Sequence, residues 1–503
     1  MQRSVLIGMA LSAILAAIPP QGAHAQSLTF AINNLGPETW WPQDISANKY
    51  ITSNIGDPLI RLAAPYSLEP AIASDWESAP DGLSFSFTIR DNVLFHDGSK
   101  LTADDVLFTF APANVEKFVG FTNIKGGNIT ALEAHGNKVV MRLGKPVPGI
   151  RDNYFPRASI WPKAYVEKVG IEGFNKHPIG AGPFRFVEHV KGQHIKLAAW
   201  ERYYGDVPQV KEITFRIVPE PATRMAMLRT GEADISYNEV GAATGELKKY
   251  GFRGQAYGQP FQAALIFNSL LSLERPFGKR FDDVRVRKAL LMAVDRKVIA
   301  DAVYFGAAVP AALPVVATAM PYYDQRFKPL PNDVAAARKL LAEAGYPDGL
   351  TFDFTAATSN KDLAVLLVSF WQRAGIKASL NLVDPVTLSR AWWQKTLSGD
   401  QVLLVGGLAN GMASAVYLNS KSSVTMYAGT LIDEVYNEGA AVVDAAKQEA
   451  WLRDRLLPVL AEEYPYAPVL EYKEGVLGLG PKVKSWDRFD LHSFGLQWLV
   501  PTK

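Results

Sequence analysis

From Leu68 to Phe110 the chain reads LEPAIASDWESAPDGLSFSFTIRDNVLFHDGSKLTADDVLFTF, and few local structures suit that run. Ser84 to Arg90 alternates strictly, with Phe85, Phe87 and Ile89 on one side and Ser84, Ser86 and Thr88 on the other. That is the pattern of a half-buried strand, entered here through the Pro80-Asp81-Gly82 turn. Phe95-His96-Asp97-Gly98 is a second turn. Thr102, followed three residues later by Asp105, then forms a capping box: the hydroxyl accepts from the Asp105 amide, and the carboxylate reaches back to Thr102 at the positive end of a helix. The local order is strand, turn, helix.

The same alternation runs through the rest of the chain. Leu28 to Asn33, a run near Val139 to Met141, His194 to Ala198, and Ile213 to Ile217 read as strands, followed by a helix over Pro221 to Thr230 that Gly231 ends. Gln262 to Phe267 has no alternation, as expected of a strand covered on both faces. Asp283 caps a helix in which Val286, Leu290, Ala293 and Val294 share one face, while Arg285, Arg287 and Lys288 are expected on the wet side. Asp333 to Gly345 is a further helix, Thr351 to Thr355 a strand and Asp362 to Ala374 a helix. Alternation on this scale predicts an α/β fold with largely parallel sheets, and such sheets bind ligands at their strand ends.

Charges and motifs argue against most chemistry. The net charge is +2 and there is no Lys/Arg run, so no nucleic acid partner is expected. Without Cys there is no disulfide, thiolate metal site, cysteine nucleophile or lipidated N-terminal Cys. No GxSxG, HExxH, GxxxxGK[ST] or EF-hand pattern occurs, and the His residues lack ligand spacing apart from His189 and His194, five apart. Gly180-Ala181-Gly182-Pro183 lacks the third glycine of a dinucleotide fingerprint and reads as a structural turn. Asp295-Arg296 reads as a salt-bridged helix end, and Arg224 and Asp234 as surface and structural charges. No catalytic residue, metal site or cofactor is expected. At the start, Arg3, an apolar Val5 to Ile18 and Ala23-His24-Ala25 before Gln26 form a signal peptide cleaved after Ala25. Its apolar run is short of the roughly 20 residues that span a bilayer.

Several phrases carry a family resemblance: "PDGlsfsF…FhDGskLTAdDV", "PiGAGPF", "PxxRxxxLxxGExDi" and "PFgkrfDDvRVRkALlmAvDR". The chain resembles the peptide, nickel and opine family (family 5) of extracytoplasmic solute-binding proteins that feed ABC importers. The resemblance implies a two-lobed periplasmic binding protein of type II, cluster C, with an extra subdomain and a hinge. The first lobe would comprise 26–55, 178–258 and 480–503, the inserted small domain 56–177 and the second lobe 259–479. Lobe crossings are expected at Gly258 to Phe261 and at Leu479 to Pro481. The implied function is a monomeric periplasmic receptor that takes a small polar solute (a sugar conjugate, an opine or something peptide-like) to permease subunits. A secreted hydrolase acting on a glycoside or peptide-like substrate is the alternative, and a binding module for sensing or chaperoning is a third.

For the pocket, Trp40 and Trp41 read equally as a ligand wall or as a core plug, and the resemblance turns their loop toward the cleft. Phe261, Trp392, Trp393, Asn410, Met412 and Tyr417 complete the expected site. If Trp392 and Trp393 are helical they point about 100° apart, so one faces the ligand and the other the core. Peptide-binding relatives carry "GWxADYxDP", whose first Asp pairs with the peptide ammonium; Gly406 to Ser414 places Asn410 there. Losing that charge-assisted bond disfavours a free-N-terminus peptide by roughly 1.5–3 kcal/mol.

Overall fold

A computed structural model gives the architecture. It describes residues 27–35, 38–40, 49–63, 67–116, 128–147, 150–238, 247, 249–257, 261–274, 279–314, 316–318, 320, 322–393, 396–397, 399–409, 418–421, 425, 427–440, 442, 444–472, 475–486, 488 and 494–502. The expected signal peptide lies outside these residues.

Two large sheets organise the chain. The first has seven strands in the order Arg253–Tyr257, Gly475–Leu479, Ile235–Asn238, Ser27–Ile32, Glu212–Ile217, His194–Ala199 and Phe184–Val190. The second has six: Ala308–Pro310, Ala467–Tyr472, Phe261–Phe267, Gln401–Ala409, Leu350–Ala357 and Ile376–Val383. Both are mixed rather than purely parallel. Ser27–Ile32 runs parallel to two neighbours and Leu350–Ala357 likewise, but hairpins and the return strands pair antiparallel.

Ser84–Ile89 buries Phe85, Phe87 and Ile89 as its alternation requires, within a four-stranded sheet ordered Ala73–Ser78, Ser84–Ile89, Lys138–Leu143, Ile129–His135. The helix Ala103–Phe110 follows. The buried Asp105 carboxylate accepts from the Thr102 amide at 2.9 Å and, through its other oxygen, from the Lys163 amide at 2.9 Å. One side chain thus ties two helix starts together, the second being Lys163–Lys176. The small sheet has no core of its own: Phe85, Phe87, Phe155 and Trp161 belong to one buried cluster with Phe30, Phe186 and Ile213 of the seven-stranded sheet. Buried Asp57 adds a polar tie, accepting from Arg61 at 2.6 Å, Tyr203 at 2.8 Å and Tyr204 at 2.7 Å. Burial pushes both tyrosine hydroxyls up, so they stay protonated donors.

A second cluster fills the six-stranded lobe. Val286 and Leu290 of the helix Val284–Met292 are fully buried in it, and the Trp371 indole donates to the Leu290 carbonyl at 2.9 Å.

Four expectations need correction. The strand Gly475–Leu479 already belongs to the seven-stranded sheet, so the return falls between Tyr472 and Gly475, before the expected Leu479 to Pro481. Arg287 is not on the wet side: it is buried and donates to the carbonyls of Tyr464, Phe281, Asp282 and Glu463. Arg296 is no surface ion pair either; it donates to Ala311 O, Pro468 O and Leu330 O, while Asp295 caps its helix by accepting from the Val298 amide. Arg224 and Asp234, expected as surface and structural charges, are structural but not at the surface: Arg224 is buried and donates to Tyr237 O, Val218 O and Pro219 O, and Asp234 is buried with Thr29 N and Lys482. For the three arginines the cause is shared: each lies where backbone carbonyls of separate chain segments converge. A guanidinium with five fixed donors satisfies several at once.

Candidate functional site

The two sheets are joined at matching ends. In the seven-stranded sheet Tyr257 stands opposite Gly475 and Asn238 opposite Val476. In the six-stranded sheet Phe261 stands opposite both Ala409 and Tyr472. The chain therefore passes from one sheet to the other between Tyr257 and Phe261, and back between Tyr472 and Gly475, at adjacent positions. Strand direction makes these the carboxyl ends of Ser27–Ile32, Glu212–Ile217 and Ile235–Asn238 on one side, and of Leu350–Ala357, Ile376–Val383 and Gln401–Ala409 on the other. Open α/β sheets place their ligands beyond such ends, where neighbouring connections diverge.

Of the expected site residues, Phe261 opens the first strand after the crossing, its backbone paired to Ala409 and Tyr472, and its side chain is outside the described residues. Asn410, Met412 and Tyr417 lie outside them too, although Asn410 directly follows Ala409. Trp41 is also outside. Trp40 takes the core reading: it is fully buried, edge-on to His189 at 5.5 Å, its amide donating to Asn175 Oδ1 at 2.7 Å, and it presents no wall to a solute. Pro385–Trp393 is helical, as supposed for the second Trp pair. Trp392 is half-buried against the second core, whereas the Trp393 side chain is outside the described residues.

Three features at these ends were not anticipated. Glu38, at φ 52°, sits on the connection leaving Ser27–Ile32; its carboxylate meets His189 Nε2 at 2.7 Å and accepts from the Gly192 amide at 2.9 Å. A non-glycine residue in the left-handed region needs such fixing. On the other side Glu471, fully buried, accepts from Thr318 N at 2.9 Å and from Thr318 Oγ1 at 2.9 Å. Beside it the Tyr472 and Tyr304 hydroxyls are 3.3 Å apart. A carboxylate inside the apolar run APVLEY was the available sequence signal, because a buried acid in a strand must be held by donors. Burial first, then the charges of Glu471 and Asp324, raise the Tyr323 hydroxyl, keeping it protonated. Among the described residues no group of His, Cys, Asp and Glu is arranged to hold a metal, and no described helix is long and apolar enough to cross a membrane.

Two α/β lobes, double-crossed at the carboxyl ends of their strands, define a two-lobed binding protein of the periplasmic type. Residues 67–424 match the family described as bacterial extracellular solute-binding proteins, family 5 Middle, and the chain belongs to that family. It is a solute-binding receptor of an ABC importer. Heme-binding protein A of Haemophilus influenzae is 28% identical over 468 residues, covering 83% of this chain and 81% of that protein. The dipeptide-binding protein of Escherichia coli is 27% identical over 420 residues, covering 76% of each. In fold, the chain is similar to the periplasmic binding protein AgaA in complex with agropinic acid, from A. tumefacien R10, at a TM-score of 0.77 and 21% identity, covering 95% of this chain and 98% of that one. Members of the family are extracytoplasmic binding proteins.

Proposed function

We propose that this receptor closes its lobes about a neutral or anionic polar solute, such as a sugar conjugate or an opine, and delivers it to permease subunits as a monomer without chemical turnover. Export with cleavage after Ala25, which an intact mass starting at Gln26 would report, belongs to the same reading. The first lobe then comprises 26–55, 178–258 and 475–503, with 56–177 inserted, and the second lobe 259–474.

The observation that carries this is the backbone register: Ala409 stands opposite Phe261, the first described residue after one crossing, beside Tyr472, the last before the other. Asn410 follows at once. An amide there offers both donor and acceptor but no charge to balance an ammonium. Among relatives, a dipeptide receptor and a structure holding agropinic acid bracket the choice, and the missing carboxylate favours the second kind of ligand.

Native mass spectrometry of protein purified without denaturation should identify a co-purified solute. Calorimetry with that solute should show Asn410→Ala and Trp41→Ala each weaker by on the order of 1–3 kcal/mol, with unchanged circular dichroism. Parent-like affinity in both variants removes the proposed site. Small-angle scattering should show compaction on binding, and superimposable curves at saturation would reject closure.

A further inference from the structure

His96 lies in the turn between the Ser84–Ile89 strand and the Ala103–Phe110 helix, and it is bonded three times to the segment that re-enters the first lobe. Its amide donates to Gly180 O at 2.9 Å, the Gly180 amide donates to Nδ1 at 3.3 Å, and Nε2 lies 3.0 Å from Gly182 O. A peptide N–H can only donate and a peptide carbonyl can only accept. Both ring contacts are therefore satisfied by the neutral Nε2–H tautomer and by no other form. The partners are themselves seated on the end of the helix Lys49–Ile55: the Gly182 amide donates to Ile55 O at 2.9 Å, and a methyl group on Gly180 would lie 2.3 Å from Ile55 O and one on Gly182 2.3 Å from Asn54 O. Trp200 closes the ring edge-on at 5.5 Å.

We infer that His96 is an acid-sensitive clasp between the inserted domain and the first lobe: neutral, it holds the re-entry turn; protonated, it sets an N–H against the Gly180 N–H and lets go. Of the charges facing it, Asp97 on its own turn favours the cation and Arg185 on the Phe184–Val190 strand opposes it. Arg202 stacks over Trp200, and its Nη1 lies 3.2 Å from where a Cβ on Gly98 would stand. Burial outweighs these and holds the imidazole down to about 4, from an ordinary 6.5. The folded value is depressed, so the unclasped state binds more protons between those two values. The clasp is therefore at full strength above pH 6.5 and is lost as pH falls toward 4 and below. This device does not depend on which solute is bound.

Amide hydrogen exchange of the full mature protein, corrected for intrinsic rates, tests it. Opening of residues 95–99 and 179–183 should increase roughly tenfold per pH unit on acidification below about pH 6, and this step should vanish in His96→Gln, which cannot titrate. An equal slope in both proteins overturns the clasp. Nitrogen-15 imidazole spectra of the unsubstituted protein decide independently of the variant's folding. An Nε2–H tautomer persisting below pH 5 supports the clasp, and an Nδ1–H tautomer or a midpoint near 6.5 overturns it.

Discussion

Gly182→Ala should lower the stability of the first lobe by about 3 kcal/mol or more, seen as a reduced urea midpoint with unchanged slope. The added carbon would stand 2.3 Å from Asn54 O, 2.5 Å from Gly56 O and 2.8 Å from Asn54 C, all backbone atoms. No side-chain rotation relieves such a clash. The helix end at Asn54 and Gly56 would have to move, breaking the Gly182 amide bond to Ile55 O, now 2.9 Å. Gly180→Ala should behave alike, since its Cβ would stand 2.3 Å from Ile55 O. Gly192→Ala is the comparison. Its φ of +71° penalises a side chain by about 1 kcal/mol, but nothing lies within 4 Å of the new carbon. If Gly182→Ala costs no more than Gly192→Ala, close backbone approach is not what the Gly-Ala-Gly turn provides.

This contrast shows what could be read from the residues alone. The periodicity of SFSFTI and the caps at Thr102, Asp283 and Asp333 depend on neighbours a few positions away, and the corresponding strand and helices form where expected. Gly180-Ala181-Gly182 was recognisable as a turn, but its partner, the helix end near Ile55, lies more than a hundred residues away and left no mark on the local pattern. Trp40 was undecided for the same reason. An indole suits a wall or a core equally, and only the packing of His189 and Asn175 around it decides. The return of the chain to the first sheet comes earlier than Leu479 to Pro481 because Gly475–Leu479, GVLGL, although it carries two glycines and no polar alternation, pairs as a strand on both sides, with Arg253–Tyr257 and Ile235–Asn238.

Arg287→Met should be the costlier of two changes that look alike in the sequence, destabilising the second lobe by on the order of 3–5 kcal/mol. Arg285 and Arg287 are two residues apart on one helix, and a helical wheel turns them about 200° from each other. Arg285 stays exposed and pairs with the cap residue Asp283 at 2.5 Å, a contact that water and salt screen. Arg287 points the other way. Its guanidinium donates to Phe281 O and to Asp282 O at 3.0 Å before the helix, and to Glu463 O and Tyr464 O, the latter at 2.8 Å, where the helix Leu457–Glu463 ends in a left-handed Tyr464. Methionine donates nothing and removes the donor from four carbonyls, of which those of Phe281 and Tyr464 are buried and cost about 1–3 kcal/mol each, while those of Asp282 and Glu463 are only partly buried and cost less. Lysine should rescue only part of the loss, because three donors on one nitrogen cannot reproduce a planar fork. Urea unfolding of Arg285→Met, Arg287→Met and Arg287→Lys checks the order: the first close to the parent protein, the second far below it, the third between. Equal midpoints for Arg285→Met and Arg287→Met would mean that this buried guanidinium does not hold the lobe's helix ends together.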